Sequence, residues 1–219
     1  MFTLDESAMH DRWDALCARV GAFQSSHEAD LTFEMLATMY TNPPRIYHDL
    51  AHIAWCLERF DEVQGLADHT DAVEFALWLH DCVFIAERPD NEARSADAAG
   101  MIAGLLGCAP AFVQEVRGLI LATRHDQTRS GASDAALVSD VDLSILGGTP
   151  EEYDAYRAAI RAEFDFASDD AFNQGRIAFL YRMLDRDHIY ATPFFRSERE
   201  YAARRNLSAE LDLLEQHDM

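Results

Sequence analysis

The chain has no lysine: its 18 basic residues are all arginine. That excludes chemistry resting on a side-chain amine, such as a Schiff base, a pyridoxal anchor or the lysine of a phosphate-binding loop. No apolar run approaches the ~18 residues of a membrane helix. The first residues, Met1 to Glu6, lack a basic stretch followed by an apolar one, so no secretory signal is expected. The four cysteines (Cys17, Cys56, Cys82, Cys108) form no Cys-x-x-Cys pair and read as reduced, mostly buried thiols of a cytoplasmic protein. Alternating strands of useful length, internal repeats and low-complexity tracts are also missing. Glycine (10) and proline (6) are scarce and act as punctuation between periodic stretches.

What remains is acidic and helical. The 219 residues carry 39 acids and a formal net charge of −21, which repels a nucleic-acid duplex. A small anion is still admitted where arginines gather. Apolar residues at i, i+3 and i+4 cover roughly 5–20, 29–40, 45–62, 71–84, 91–106, 134–146, 170–186 and 197–216. Two further helices start at Pro110 and Pro150, and Thr149 with Glu152 makes a capping box for the second. The expectation is a single all-α domain over 1–219, with about ten helices and short connections.

Three strings carry ligand-type residues. In Tyr47-His48-Asp49-Leu50-Ala51-His52, the two histidines are i and i+4, so a helix would put both on one face. One metal can take both, or one can bind while the other moves protons. Leu79-His80-Asp81-Cys82 places a nitrogen and an oxygen ligand at the end of a strongly apolar helix, where both are costly to bury unless paired. Ser139-Asp140-Val141-Asp142-Leu143 sets two acids in an apolar stretch that would need a cation or hydrogen-bond donors.

In order, these strings read His, His-Asp and Asp on a helical background. The chain thereby resembles the HD superfamily of metal-dependent phosphohydrolases over residues 45–146, with extra helices on both sides. The first string is also similar to the Tyr-His-x-x-x-His of class I cyclic-nucleotide phosphodiesterases. There the second histidine ligates metal and the first donates a proton. A bacterial branch of predicted metal-dependent phosphohydrolases is more similar still, through Asp90-Asn91-Glu92-x-x-Ser95-Ala96, Thr123-x-His125, Asp140-x-Asp142-Leu143-x-Ile145-Leu146-Gly147, Gly175-Arg176 and Ala203-Arg204-Arg205-Asn206-Leu207.

The resemblance implies a divalent ion on His52, His80, Asp81 and Asp142, with Asp142 preferred to Asp140. Two nitrogens and two carboxylates suit Mn²⁺, Fe²⁺, Co²⁺ or Ni²⁺ best, with Mg²⁺ or Zn²⁺ as alternatives. His48 is the expected acid, Glu92 a proton acceptor and His125 a third catalytic candidate. Asp90 is placed to cap the helix that carries Glu92. Arg45, Arg94 and Arg124 are the candidate phosphate clamps, with Arg176 as a further one. The implied activity is hydrolysis of a small, nucleotide-like phosphate ester by a monomer or homodimer that contacts neither membrane nor duplex. The rivals are a non-catalytic module that binds metal and nucleotide, and a helical interaction protein.

Overall fold

The computed structural model describes residues 5–21, 26–42, 45–124 and 133–217. Among them every regular element is helical, and no strand occurs. In chain order the α-helices are α1 (Glu6–Val20), α2 (Ser26–Thr41), α3 (Leu50–Asp61), α4 (Thr70–Leu79), α5 (Asn91–Leu105), α6 (Pro110–Leu121), α7 (Asp134–Asp142), α8 (Pro150–Glu163), α9 (Asp169–Leu184) and α10 (Pro193–His217). Two 3₁₀ turns, Gln64–Leu66 and Leu143–Gly147, complete the list.

The bundle is organised around α4. All eight residues from Ala72 to Leu79 are buried, the signature of a helix enclosed on every side rather than laid on a surface. Its neighbours are α1, α3, α5, α6 and α7. One charge, Glu74, goes in with it, and Arg12 and Arg19 of α1 each meet one of its oxygens at 2.7 Å. Trp13 and Trp78, both fully buried, meet edge to face between α1 and α4.

A second layer forms where the Leu143–Gly147 turn packs against α8 and α10. Gly147 is required there: an added Cβ would lie 2.7 Å from Arg199 Cβ and 2.8 Å from the Arg199 carbonyl oxygen. Asn206 Nδ2 donates to the carbonyls of Leu146 and Gly148, both at 3.0 Å, so α10 holds the turn by its backbone. The α8 capping box is formed as expected, Thr149 Oγ1 accepting from Glu152 N and Glu152 Oε2 accepting from Thr149 N.

Three expectations are corrected. The helix anticipated from 45 begins at Leu50, so His48 and His52 do not share a helix. The reason is Asp49, whose carboxylate accepts from the N–H groups of Ala51 (2.8 Å) and His52 (3.2 Å) and caps the helix one residue after His48. The helix anticipated to 84 stops at Leu79, because Ser95 of α5 takes over the backbone of Val83, binding both its N–H and its carbonyl at 3.1 Å. Asp90 stands at the N-cap position of α5 but leaves the backbone uncapped; its carboxylate pairs with Arg88 at 2.7 and 2.8 Å.

Candidate metal centre

Each donor is positioned by a helix end. The Asp49 cap puts His52 in the first turn of α3, buried at 4% exposure. His80 follows the last residue of α4 and is 1% exposed. Its Nδ1 lies 2.9 Å from the Leu77 carbonyl oxygen. A carbonyl only accepts, so Nδ1 carries a proton and Nε2 is the nitrogen turned to the interior. Asp81 comes next in the chain, and Asp142 is the last residue of α7.

These donors converge. His52 Nε2 lies 3.2 Å from His80 Nε2, 3.3 Å from Asp142 Oδ1 and 3.6 Å from Asp81 Oδ2. His80 Nε2 lies 3.1 Å from Asp81 Oδ2 and 3.4 Å from Asp142 Oδ1. Ligands held at ~2.1–2.3 Å from one ion stand about 3.0–3.7 Å from each other. The spacing of His52, His80 and Asp142 therefore fits a single cation, with Asp81 Oδ2 at 3.1 and 3.6 Å from the two imidazoles. Two imidazole nitrogens 3.2 Å apart among carboxylates are held together by a proton or by a metal ion. In the protein alone the carboxylates favour a proton on the imidazole pair. Burial alone would lower the His80 pKa, yet Asp81 and Asp142 hold it well above the usual range. Burial would raise Asp81, but the His80 imidazole beside it keeps it well below the usual carboxylate range.

Asp140, two residues before Asp142, is not at the centre. It is 1% exposed and accepts from the N–H of Ala191 (2.8 Å), the N–H of Thr192 (2.7 Å) and the Thr192 hydroxyl (2.6 Å). Burial still leaves its pKa above the usual value, the three donors offsetting only part.

Cys56 was not anticipated here. It lies one turn beyond His52 on α3, and its Sγ is 3.6 Å from His52 Nε2. His52, Cys56, His80 and Asp142 form a buried group able to hold a metal ion. The i, i+4 spacing from His52 was the available signal. Burial, with Asp142 and Asp81 nearby, pushes the Cys56 thiol well up.

A second unanticipated residue is Glu163, at the end of α8 and 1% exposed. Its Oε1 accepts from the N–H groups of Ile46, Tyr47 and His48 at 3.0, 3.1 and 3.1 Å, and its Oε2 lies 2.5 Å from His48 Nδ1. The His48 ring stacks on Phe84 with centroids 3.9 Å apart. Burial lowers the His48 pKa, but the Glu163 bond raises it further, so it ends above its usual value. A carboxylate at a helix C-terminus opposes the macrodipole. That anomaly was legible, but its partner was not.

Beside the donors lies a chamber of about 170 Å³. Its polar lining includes His48, Asp81, Glu92 and Asp142, and its rings are Tyr47, Phe84, Tyr156 and Phe179. Glu92 sits in the first turn of α5, where Asn91 fastens the preceding loop through Ile85 and Arg88. A larger cavity of about 440 Å³ shares Phe84 and is lined by Glu163, but contains none of the four donors.

The arginines behave differently from expectation. Arg45 spends its guanidinium on the carbonyls of His48 (3.0 Å), Asp81 (2.7 Å) and Cys82 (2.9 Å), so it fixes the two ligand-bearing loops rather than waiting for a phosphate. Arg176 is committed to Glu210 and Tyr156. Arg94 is exposed on α5 and Arg124 is exposed next to the lining residue Thr123; neither lines the chamber. His125 lies outside the described residues.

The chain matches no protein-family model, no curated protein and no solved structure. No described helix is long and apolar enough to cross a membrane.

Proposed function

We propose that this chain is a metal-dependent phosphohydrolase of the HD type, acting on a small, nucleotide-like phosphate ester. The observation that carries the reading is the convergence of His52, His80, Asp81 and Asp142, with spacings of 3.1–3.6 Å to the two imidazoles, beside a chamber lined by Asp81, Asp142 and His48. Those four residues would hold the ion; Cys56, grouped with His52, His80 and Asp142, is a softer donor at the same place. Two nitrogens and two carboxylates favour Mn²⁺, Fe²⁺, Co²⁺ or Ni²⁺ and also accept Zn²⁺, whereas Mg²⁺ prefers an oxygen shell. When bound, a divalent ion supplies Lewis-acid polarisation of a phosphoryl oxygen and a lowered pKa for water.

The side chains supply the proton transfers. His48 is anchored at Nδ1 by Glu163, which leaves Nε2 to protonate the departing oxygen as the old P–O bond breaks. Glu92, on the chamber wall, takes a proton from the attacking water, whose oxygen forms the new P–O bond. Glu163 is a positioning residue: it holds the His48 ring and the three N–H groups before it in one geometry. A binding module needs the metal donors but has no use for an oriented acid, and this favours the hydrolase reading over the non-catalytic one.

The test is a screen of phosphate esters, including nucleoside monophosphates, triphosphates and cyclic nucleotides, on protein supplied in turn with Mn²⁺, Co²⁺, Ni²⁺, Zn²⁺ and Mg²⁺. Metal-dependent release of phosphate or of the alcohol is expected, lost in His48→Ala with the metal retained. Metal uptake without turnover of any ester would leave the binding module instead.

A further inference from the structure

Two of the rings on the chamber wall are held from behind by one buried cation. Arg176 of α9, 7% exposed, places its guanidinium 5.0 Å from the Tyr156 ring centroid and 4.8 Å from that of Phe179. Its Nη1 donates to the Tyr156 hydroxyl at 2.9 Å, while Nε and Nη2 grip the two oxygens of Glu210 at 2.9 and 3.0 Å. Tyr153 donates its hydroxyl to the same carboxylate. The wall continues inward: Tyr156 meets Tyr47 edge to face at 4.8 Å, and Tyr47 lies 4.9 Å from the His52 ring. A buried ion pair is costly to desolvate and is a poor investment in stability alone. Here it fixes the orientation of two aromatic faces beside the metal donors.

Size and charge point the same way. The chamber holds about 170 Å³, below the ~300–1,000 Å³ of pockets for drug-sized ligands, and Tyr47, Ile145 and Tyr156 divide it from a cavity of about 430 Å³ on the His52 side. Three carboxylates, Asp81, Glu92 and Asp142, line it, and none of its described lining residues is an arginine. A divalent ion on Asp81 and Asp142 would neutralise those two carboxylates and bind one phosphate; a second phosphate would then face Glu92 with no described arginine on the wall to meet it.

We infer that the chamber takes a phosphate monoester of a single flat, mainly apolar group, an aryl monophosphate in chemical terms, and selects against polyphosphates. This rests on the reading of the site as a metal-dependent phosphohydrolase, and it narrows "nucleotide-like" to one ring and one phosphate. Tyr156 and Phe179 are the specificity-determining residues, and Arg176 positions them.

The experiment measures binding separately from turnover. Full-length protein loaded with Co²⁺ or Mn²⁺ is titrated by calorimetry with phenylphosphonate, methylphosphonate and inorganic triphosphate. Phenylphosphonate should bind about tenfold or more tighter than the other two, the order a ring contact supplies. In Phe179→Leu and Arg176→Met, affinity for phenylphosphonate should fall about tenfold more than affinity for methylphosphonate. A general loosening of the fold would weaken both alike. If Arg176→Met does not fold, Phe179→Leu decides. Triphosphate binding as tightly as phenylphosphonate, or equal binding of the phenyl and methyl ligands, overturns the inference and leaves the hydrolase reading standing. A ring preference without hydrolysis of phenyl phosphate has the opposite meaning: the ligand class holds and the hydrolase reading fails.

Discussion

Two buried polar clusters in this bundle are built to opposite rules. In the cluster of Arg176, Glu210, Tyr153 and Tyr156, every charge meets its complement. The guanidinium faces a carboxylate at 2.9 and 3.0 Å, and each tyrosine hydroxyl has a partner. In the cluster of His52, His80, Asp81 and Asp142, two imidazole nitrogens lie 3.2 Å apart with two carboxylates close by. The first is complete with the protein alone. The second gathers donors of the kind a metal ion takes, and in that sense is open. The same contrast appears within two residues of α7, where Asp140 is enclosed by three donors and Asp142 faces the histidines. A buried charge is therefore read from the chemistry of the groups around it, and burial alone does not distinguish the two cases.

The contrast is most severely broken at the open cluster. His52→Ala should abolish metal-dependent turnover, with the ion lost, while its melting temperature without metal changes little. Parallel assays of ester hydrolysis and metal content check both. At the closed cluster the effect should be on stability. Arg176→Met leaves Glu210 buried without its cation and should cost roughly 3–5 kcal/mol by urea unfolding, the same with or without metal. A loss confined to the metal-loaded protein would mean that the cluster is not structural.

The acid–base pair comes next. Glu163→Gln keeps an oxygen for the three N–H groups but removes the charge from His48. The acid form of His48 persists above its usual pH range because Glu163 stabilises the imidazolium against the opposing effect of burial. With glutamine there, that form is lost at lower pH, so the alkaline limb of kcat should move down. The rate near neutrality should fall by ~10²-fold or more. An unchanged alkaline limb would take His48 out of the role. The smallest effect belongs to Thr149→Ala, which removes one half of the α8 capping box and should cost ~1 kcal/mol without touching turnover.

Much of this was legible before any coordinates. Helical periodicity marked the elements because each apolar stripe repeats the turn of the helix, and the capping box at Thr149 formed as its spacing implied. The donor strings were visible because histidine and aspartate in apolar surroundings are costly, and the preference for Asp142 agrees with where the two acids lie. What escaped was set by distant partners. Glu163 meets His48 across 115 positions of sequence, so nothing near it in the chain announced the contact. Arg45 and Arg176 looked like phosphate ligands because an arginine's partner cannot be read from the arginine. The break before α3 was hidden by the apparent i, i+4 pair, although Asp49 between them was already a capping residue.

The central claim is that Asp142, and not its neighbour Asp140, belongs to an open cluster completed by a divalent cation. The most direct test is metal stoichiometry on purified wild type, Asp142→Asn and Asp140→Asn after loading with Mn²⁺ or Co²⁺ and removal of free ion. One ion per chain is predicted for wild type and for Asp140→Asn, the latter destabilised by about 1–3 kcal/mol through its weakened buried hydrogen bonds, and none is predicted for Asp142→Asn. Retention of an ion by Asp142→Asn with wild-type affinity, or no ion on the wild-type protein, would contradict the account.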